Sequence, residues 1–453
     1  MHIIYLSILF NPPKTVKRID IITTMLYNKA VMVESGSTRK QIIIPKNKEE
    51  ITMKRFLATA LSLAMVAGMA SCGGTETTDN TPVTNSNNNS SSSDTNNNEG
   101  ADNSSSGTKT VGIAMPTKSL ERWNRDGEYL KEQFEAAGFK TELKYSDNDV
   151  KQQNNDIQGM IADNVDLLLI AAIDGNTLSQ TLSDAKSAGI PVVAYDRLIM
   201  NTDAVSYYVS FDNYTVGKLQ GEFVRDELKL DSEDGPFNIE FTAGDPADNN
   251  ANYFFNGAYD TLKTYIDSGK LVIPSGKKTF EQVATTKWST DTALENMQNT
   301  LASYYSDGTK LDVALCSNDS TALGVAQAIT SDYAGSNSPI VTGQDGDIAN
   351  LRNIVDGIQT MTVYKNVSEE VGVTLEVSKA VLNGETPDGS LVSKLSAEAT
   401  YDTSSYDNGV KTVPSYLLSP VVVTKDNLQY LVDTGLYKWD SSNKYLESTA
   451  STT

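Results

Sequence analysis

Carboxylates and amides recur in this chain just after short apolar runs, where several could act together on one ligand. Asp174 follows IAAI, Asp196-Arg197 follow VVAY and Asp212-Asn213 follow YVSF. Further along, Asp248-Asn249-Asn250 come after FTAGDPA, Asn318-Asp319 after VALCS, and Asp345 after VTGQ. Arg122 and Lys365 add cations, and Trp123 and Trp288 add aromatic faces. Such groups recognise a polar ligand through hydrogen bonds, ion pairs and ring contact. Other chemistries are excluded by what is missing. The one histidine, His2, lies in a stretch expected to be absent from the mature protein, which removes His-dependent triads, bases and metal sites. Two cysteines, Cys72 and Cys316, cannot build an all-cysteine zinc site or a disulfide framework. No metal or other cofactor is expected.

Each feature also has an ordinary structural explanation. An Asp or Asn between a strand and a helix is most often a helix cap. Six such sites, together with Arg122, Arg197 and Lys365, exceed what capping requires. Tryptophans are more often core than ligand platforms. Trp288, however, lies in Thr-Lys-Trp-Ser-Thr outside any apolar run, which predicts a partly exposed ring. Cys316 reads as a small buried strand residue without chemistry.

The elements that must position these groups begin at Lys109. Strands are expected at Val111–Met115, Thr141–Tyr145, Asp166–Ala172, Pro191–Tyr195 and Tyr207–Phe211, with helices at Glu121–Ala137, Val150–Asn164 and Thr177–Ala188. A second run follows at Phe237–Thr242, Asn250–Ile266, Thr290–Tyr305, Val313–Cys316, Ser320–Ser331 and Ile340–Gly343. Strand–helix alternation of this kind predicts an α/β fold of two lobes, each a doubly wound parallel sheet covered by helices. Ligands bind outside the carboxyl ends of such strands, so lobes facing each other there would place the polar groups in one cleft.

Ahead of Lys109 the chain reads as targeting sequence. From Met53 it runs MKRFLATALSLAMVAGMASCGG, with a basic start at Lys54-Arg55, an apolar stretch from Phe56 to Ala70, and small residues before Cys72. This is a secretory signal, too short at roughly 15 apolar residues for the roughly 18–20 that span a bilayer. Ala70 and Ser71 before the cysteine make it resemble a lipoprotein signal, in which Cys72 is lipidated and becomes the new N-terminus. Residues 1–52 are then an upstream, non-mature segment, because a signal must be N-terminal to be read. Residues 73–108 are almost entirely Gly, Thr, Asn, Ser, Asp and Glu. They read as a disordered tether with an r.m.s. span on the order of 30–35 Å.

Lys+Arg 37 against Asp+Glu 58 gives a formal charge of −21. The segments 1–52 and 53–71 contribute +4 and +2, so the chain from Cys72 carries −27. Nucleic acid and anionic bilayer surfaces are therefore excluded as partners of the folded body.

The stretches VGIAMPTKSLERWNRDGEYLKEQFEAAGF, VVAYDRLIMNTDAVSYYVSFDNYTVGKLQGEF, GDPADNNANYFFNGAYDTLKTYIDSGKL, CSNDSTALG, VTGQDGDIANL and TMTVYKNV resemble the xylose-binding and multiple-monosaccharide-binding periplasmic proteins. These are type I periplasmic binding proteins that serve sugar ABC importers. The resemblance runs in collinear order from about Lys109 to Tyr437. It implies ligand contacts at Arg122, Asp196, Arg197, Asp248, Asn250, Trp288, Asn318, Asp345 and Lys365, with Lys118, Glu121 and Trp123 as flanking candidates. Sugar hydroxyls both donate and accept, so carboxylates, cations and amides suit them, and an aromatic face covers the C–H surface of the ring.

The resemblance also implies lobes that exchange chain through a multi-strand hinge. The first lobe is expected at 109–211 and 346–414, the second at 212–345 and 415–453. The implied protein is a monomer outside the cytoplasm, lipid-anchored, passing a monosaccharide of the xylose, glucose or galactose type to an ABC permease. Two alternatives stand beside this reading. One is a sugar sensor presenting its closed form to a receptor kinase or chemoreceptor. The other is a secreted glycosidase using Asp196 and Asp345 as acid and nucleophile.

Overall fold

A computed structural model describes residues 107–449. The expectations for 1–52, the signal at 53–71, Cys72 and nearly all of the tether lie outside the described residues. Of those described, none belongs to a helix long and apolar enough to cross a membrane.

The chain first builds β1 (Thr110–Met115), α1 (Glu121–Ala136), β2 (Lys140–Tyr145), α2 (Val150–Ala162), β3 (Leu167–Ile170), α3 (Ser179–Ser187), β4 (Val192–Tyr195) and β5 (Val205–Phe211). It continues with α4 (Asn213–Glu227), β6 (Phe237–Thr242), α5 (Asn249–Asp267), β7 (Leu271–Val272), α6 (Phe280–Val283), α7 (Thr290–Tyr304), β8 (Val313–Cys316), α8 (Asp319–Asp332) and β9 (Ile340–Val341). After α9 (Ile348–Asp356) come β10 (Met361–Tyr364), α10 (Val367–Leu382), β11 (Ala399–Asp402), β12 (Ser415–Leu418) and β13 (Val421–Thr424). α11 (Gln429–Asp433), β14 (Tyr437–Trp439) and β15 (Leu446–Ser448) close the described chain.

Two sheets result. The first has the order β11-β12-β5-β4-β3-β1-β2, parallel except for the antiparallel edge strand β11. The second has the order β7-β6-β8-β9, all parallel. β10 extends it through a parallel bridge between Gln344 and Val363 and carries β13 antiparallel on its far side. Each sheet therefore reverses its winding once, between β1 and β3 in the first and between β6 and β8 in the second. A crevice forms at such reversals, outside the carboxyl ends of the strands.

The continuous apolar runs of the central strands explain the two-faced burial. In β1, Val111, Ile113 and Met115 face one core while Ala114 faces another, and β3 divides Leu167 and Leu169 from Leu168 and Ile170 in the same way. In the second sheet Ile239, Phe241, Val313 and Leu315 pack on one side and Ala314 and Cys316 on the other. A period of two with both faces apolar is what a helix-covered parallel sheet requires. Cys316 is a fully buried strand residue, and burial pushes its thiol well up.

The expected lobe boundaries shift at two of three crossovers. The chain leaves the first sheet after β5, at Asp212. The second crossover falls at Lys365, not at Asp345. After GQDG the chain turns into α9 and returns as β10 beside the same sheet, with Asp345 N–H on the Val363 carbonyl at 3.0 Å and Val363 N–H on the Gly343 carbonyl at 2.9 Å. The third falls between β12 and β13, near Pro420, not at Pro414. Residues 415–418 pair in parallel register with 208–211 of β5 and so belong to the first sheet. A polar run after a strand marks its end but does not say which sheet receives the next strand.

Candidate functional site

Loops at the carboxyl ends of both sheets converge on a cavity lined by residues of both. β1 delivers Arg122 and Trp123 through the start of α1, and β4 delivers Asp196 and Arg197. From the second sheet, β6 delivers Asp248, β8 delivers Asn318, and the turn after β9 delivers Asp345. Lys365 follows β10 at the crossover. All of these line the cavity, together with Trp288 from the turn before α7.

The charged groups interlock across the two sheets. Asp196 Oδ2 receives Arg122 Nη2 at 2.6 Å and Lys365 Nζ at 2.8 Å. Arg122 Nη1 donates to Asp345 Oδ1 at 3.0 Å, and Lys365 stands 3.8 Å from the same oxygen. Arg197 Nε lies 3.0 Å from Asp248 Oδ2, which also accepts the Trp288 indole N–H at 3.2 Å. Behind Arg122, the fully buried carboxylates of Asp126 and Glu370 hold it at 3.3 and 3.2 Å.

Burial works to raise the Asp196 carboxyl, but the Arg122 and Lys365 charges overcome it and hold the group below the ordinary carboxylate range. Asp248 is raised by burial against the opposing charge of Arg197. Glu370 is raised strongly, by burial and by the nearby Asp196 charge, with Arg122 opposing.

Backbone strain gathers at the same place. Asp196, Lys287, Trp288 and Asp345 have φ of 58°, 60°, 54° and 108°. Positions of this kind cost about 1–3 kcal/mol each and persist only where surroundings over-determine them. At Asp196 the over-determination is visible: its carbonyl accepts from Tyr208 at 2.7 Å, Ser210 at 2.9 Å and Asn250 Nδ2 at 2.7 Å. At Trp288 the ring lies so close to Gly244 that any Cβ there would overlap it.

Several candidates do more than one task, and some do a different one. Asp248 and Asn318 line the cavity and also cap α5 and α8, accepting from Asn250 N–H and Thr321 N–H at 3.0 Å each. Asp212 caps α4 and Asp174 closes a turn on Asn176 N–H; neither lines the cavity. Asn250 does not line it either, because its amide is engaged beneath Asp196. Lys118 is exposed, with its ammonium 4.8 Å from the centre of the Tyr145 ring. Glu121 turns away to the N-terminus of α9. Trp123 lines the cavity between two guanidinium groups, Arg122 at 5.0 Å and Arg197 at 4.8 Å. Trp288 is only 4% exposed, so the partly exposed ring expected from its polar flanks is instead enclosed.

Leu120, Phe254, Ser320 and Gln344 also line the cavity and were not foreseen. Phe254 lies one helical turn beyond Asn250, and Gln344 adjoins Asp345, so spacing held a signal for both. Leu120 offered none.

A cavity between two parallel-sheet lobes, lined by carboxylates paired with cations, is suited to holding a polar ligand, and the family to which the chain belongs is one of substrate-binding transport proteins, not enzymes. The chain belongs to the periplasmic binding protein family, in its type I sugar-binding group: the family's periplasmic binding protein domain matches residues 111–386. It is 44% identical over 335 residues to the multiple sugar-binding periplasmic receptor of Rhizobium radiobacter, covering 73% of this chain and 91% of that protein. It is 34% identical over 319 residues to the D-xylose-binding periplasmic protein of Escherichia coli, covering 70% and 88%. Among solved structures, an ABC transporter solute binding protein from Clostridium phytofermentans with bound β-D-glucose superposes with a TM-score of 0.69 at 49% identity, covering 74% of this chain and 99% of that one.

Proposed function

We propose that this protein captures a neutral monosaccharide of the xylose, glucose or galactose type between its lobes and delivers it to an ABC importer. The observation that carries the reading is the charge balance of the cavity. Three cations, Arg122, Arg197 and Lys365, face three carboxylates, Asp196, Asp248 and Asp345. A neutral ligand with hydroxyls that both donate and accept can bridge these pairs without leaving a charge uncompensated. Asn318 adds an amide whose Nδ2 has no protein acceptor among the described residues, and Trp123 and Trp288 offer apolar faces for a sugar ring. The xylose- and glucose-binding relatives support the same ligand class. Arg122, Trp123, Asp196, Arg197, Asp248, Trp288, Asn318, Asp345 and Lys365 are the proposed contacts, with Asn250 as a support for Asp196.

The protein acts outside the cytoplasm as a monomer, held to the membrane by a lipid on Cys72. A sensory role is the second reading, favoured by the relative named as a receptor. The glycosidase reading is set aside, since the family to which the chain belongs binds substrates for transport and is not an enzyme family.

Thermal shifts with pentoses, hexoses and hexuronates test the ligand class. A ligand at 100 times its dissociation constant stabilises the native state by about 2.7 kcal/mol. Neutral aldoses should raise the midpoint, while glucuronate should do so weakly or not at all. A panel in which only hexuronates act would overturn the neutral-ligand reading.

A further inference from the structure

We infer that Glu121 and Arg125 form a latch between the lobes that sets how readily the cleft closes, without touching the ligand. The inference rests on the reading of a two-lobed binding protein that closes on its sugar. Both residues stand one turn apart on α1, and neither lines the cavity. α1 is part of the first lobe, packed there through Trp123, Leu130 and Phe134. The segment 345–348 is tied to the second, with Asp345 N–H on the Val363 carbonyl at 3.0 Å and Asp347 N–H on Asp319 Oδ2 at 2.9 Å.

Across this boundary the two Glu121 oxygens accept from Ile348 N–H at 3.0 and 3.2 Å. Ile348 is the first residue of α9, whose own N-cap, Asp347, makes no side-chain capping bond. The opposite lobe therefore supplies the cap, placing a carboxylate at the positive end of the α9 dipole. One turn along, Arg125 Nη2 donates to the Asp345 carbonyl at 2.9 Å, and its Nη1 lies 3.8 Å from Asp347 Oδ1.

Opening the lobes breaks these bonds whatever ligand has left. When a binding-competent state is only partly populated, apparent affinity scales with that population equally for every ligand. Weakening the latch must therefore weaken all sugars by one common factor, whereas loss of a sugar contact would discriminate among them.

The test compares wild type with Glu121→Gln and Arg125→Lys. D-glucose and D-xylose are titrated by calorimetry, and ligand-free samples are measured by small-angle scattering. Glu121→Gln keeps the shape and removes the charge from a half-buried carboxylate, so it guards against a folding failure at the more buried Arg125. Each variant should weaken both sugars by the same factor, roughly three- to thirtyfold, with faster dissociation and unchanged compactness at saturation. Unchanged affinities in Glu121→Gln, or a loss confined to one sugar, would overturn the latch. A wild type that binds neither sugar defeats the sugar reading instead. The latch is then decided by ligand-free compactness, which must fall in Glu121→Gln.

Discussion

Trp288 holds a left-handed backbone position with its ring over Gly244 and its indole N–H on Asp248. That geometry offers one face to the cavity and is costly to build for packing alone. Trp288→Ala should weaken sugar binding by about 2 kcal/mol and remove most of the fluorescence change on titration. Trp439→Phe should do neither, because its indole N–H is spent on Gln429 at 3.0 Å, away from the cavity. A Trp288→Ala protein that melts early yet binds sugar normally would assign the ring to the core. Asp319 gives a second test. Burial and the Asp345 charge push its carboxyl up to about 7, against hydrogen bonds from Gln359, Asp347 N–H and Thr362. The unfolded group titrates near 3.9, so between about pH 4 and pH 7 the native state keeps a proton that the unfolded chain has released. This contribution to stability is full below pH 4 and lost as pH rises through 7. The wild-type melting midpoint should therefore fall relative to that of Asp319→Asn over this range, by more than about 2 °C. Parallel profiles would show that Asp319 titrates normally.

At the scale of elements, the same residue types at the same strand-to-helix junctions serve two ends. Asp212 caps α4 through Thr215 N–H at 3.0 Å and does nothing else at the cavity, while Asn318 caps α8 and also lines it. Asp212→Ala should cost about 1 kcal/mol of stability and leave sugar affinity within twofold. Asn318→Ala should cost a similar amount of stability and at least tenfold in affinity. Denaturant melts paired with calorimetry measure both quantities, and equal affinities in the two variants would remove Asn318 from the site. A cap and a ligand contact are compatible because a side-chain amide can turn one atom to the helix end and the other to the cleft.

For the whole molecule, every proposed contact lies between residues 122 and 365, so sugar capture should be independent of the anchoring segment. With −27 charges from Cys72 onward, the folded body has no electrostatic affinity for an anionic bilayer, so the proposed lipid on Cys72 would have to supply the attachment. Cys72→Ala should leave the protein soluble or unprocessed in cell fractionation, with sugar affinity unchanged. A correctly cleaved Cys72→Ala protein that still pellets with membranes would show a different anchor.

The sequence by itself determined the class of elements and most of the proposed site. Apolar runs of four to six residues separated by amphipathic segments can only be strands of a helix-covered parallel sheet, and polar groups at their ends must collect at one edge. Asp196, Arg197, Asp248, Asn318 and Asp345 were legible for that reason, whereas Arg122, Trp288 and Lys365 were singled out as ligand contacts by the family resemblance. Only the tertiary structure decided which sheet receives β10 and β12, because a strand's own sequence does not name its neighbour. It also separated groups that reach the cavity from those that serve it. Asn250 and Glu121 carry the same functional atoms as true lining residues, but the carbonyl of Asp196 and the exposed N–H of Ile348 claim them first. Those partners come from distant parts of the chain, and sequence spacing holds no record of the contact.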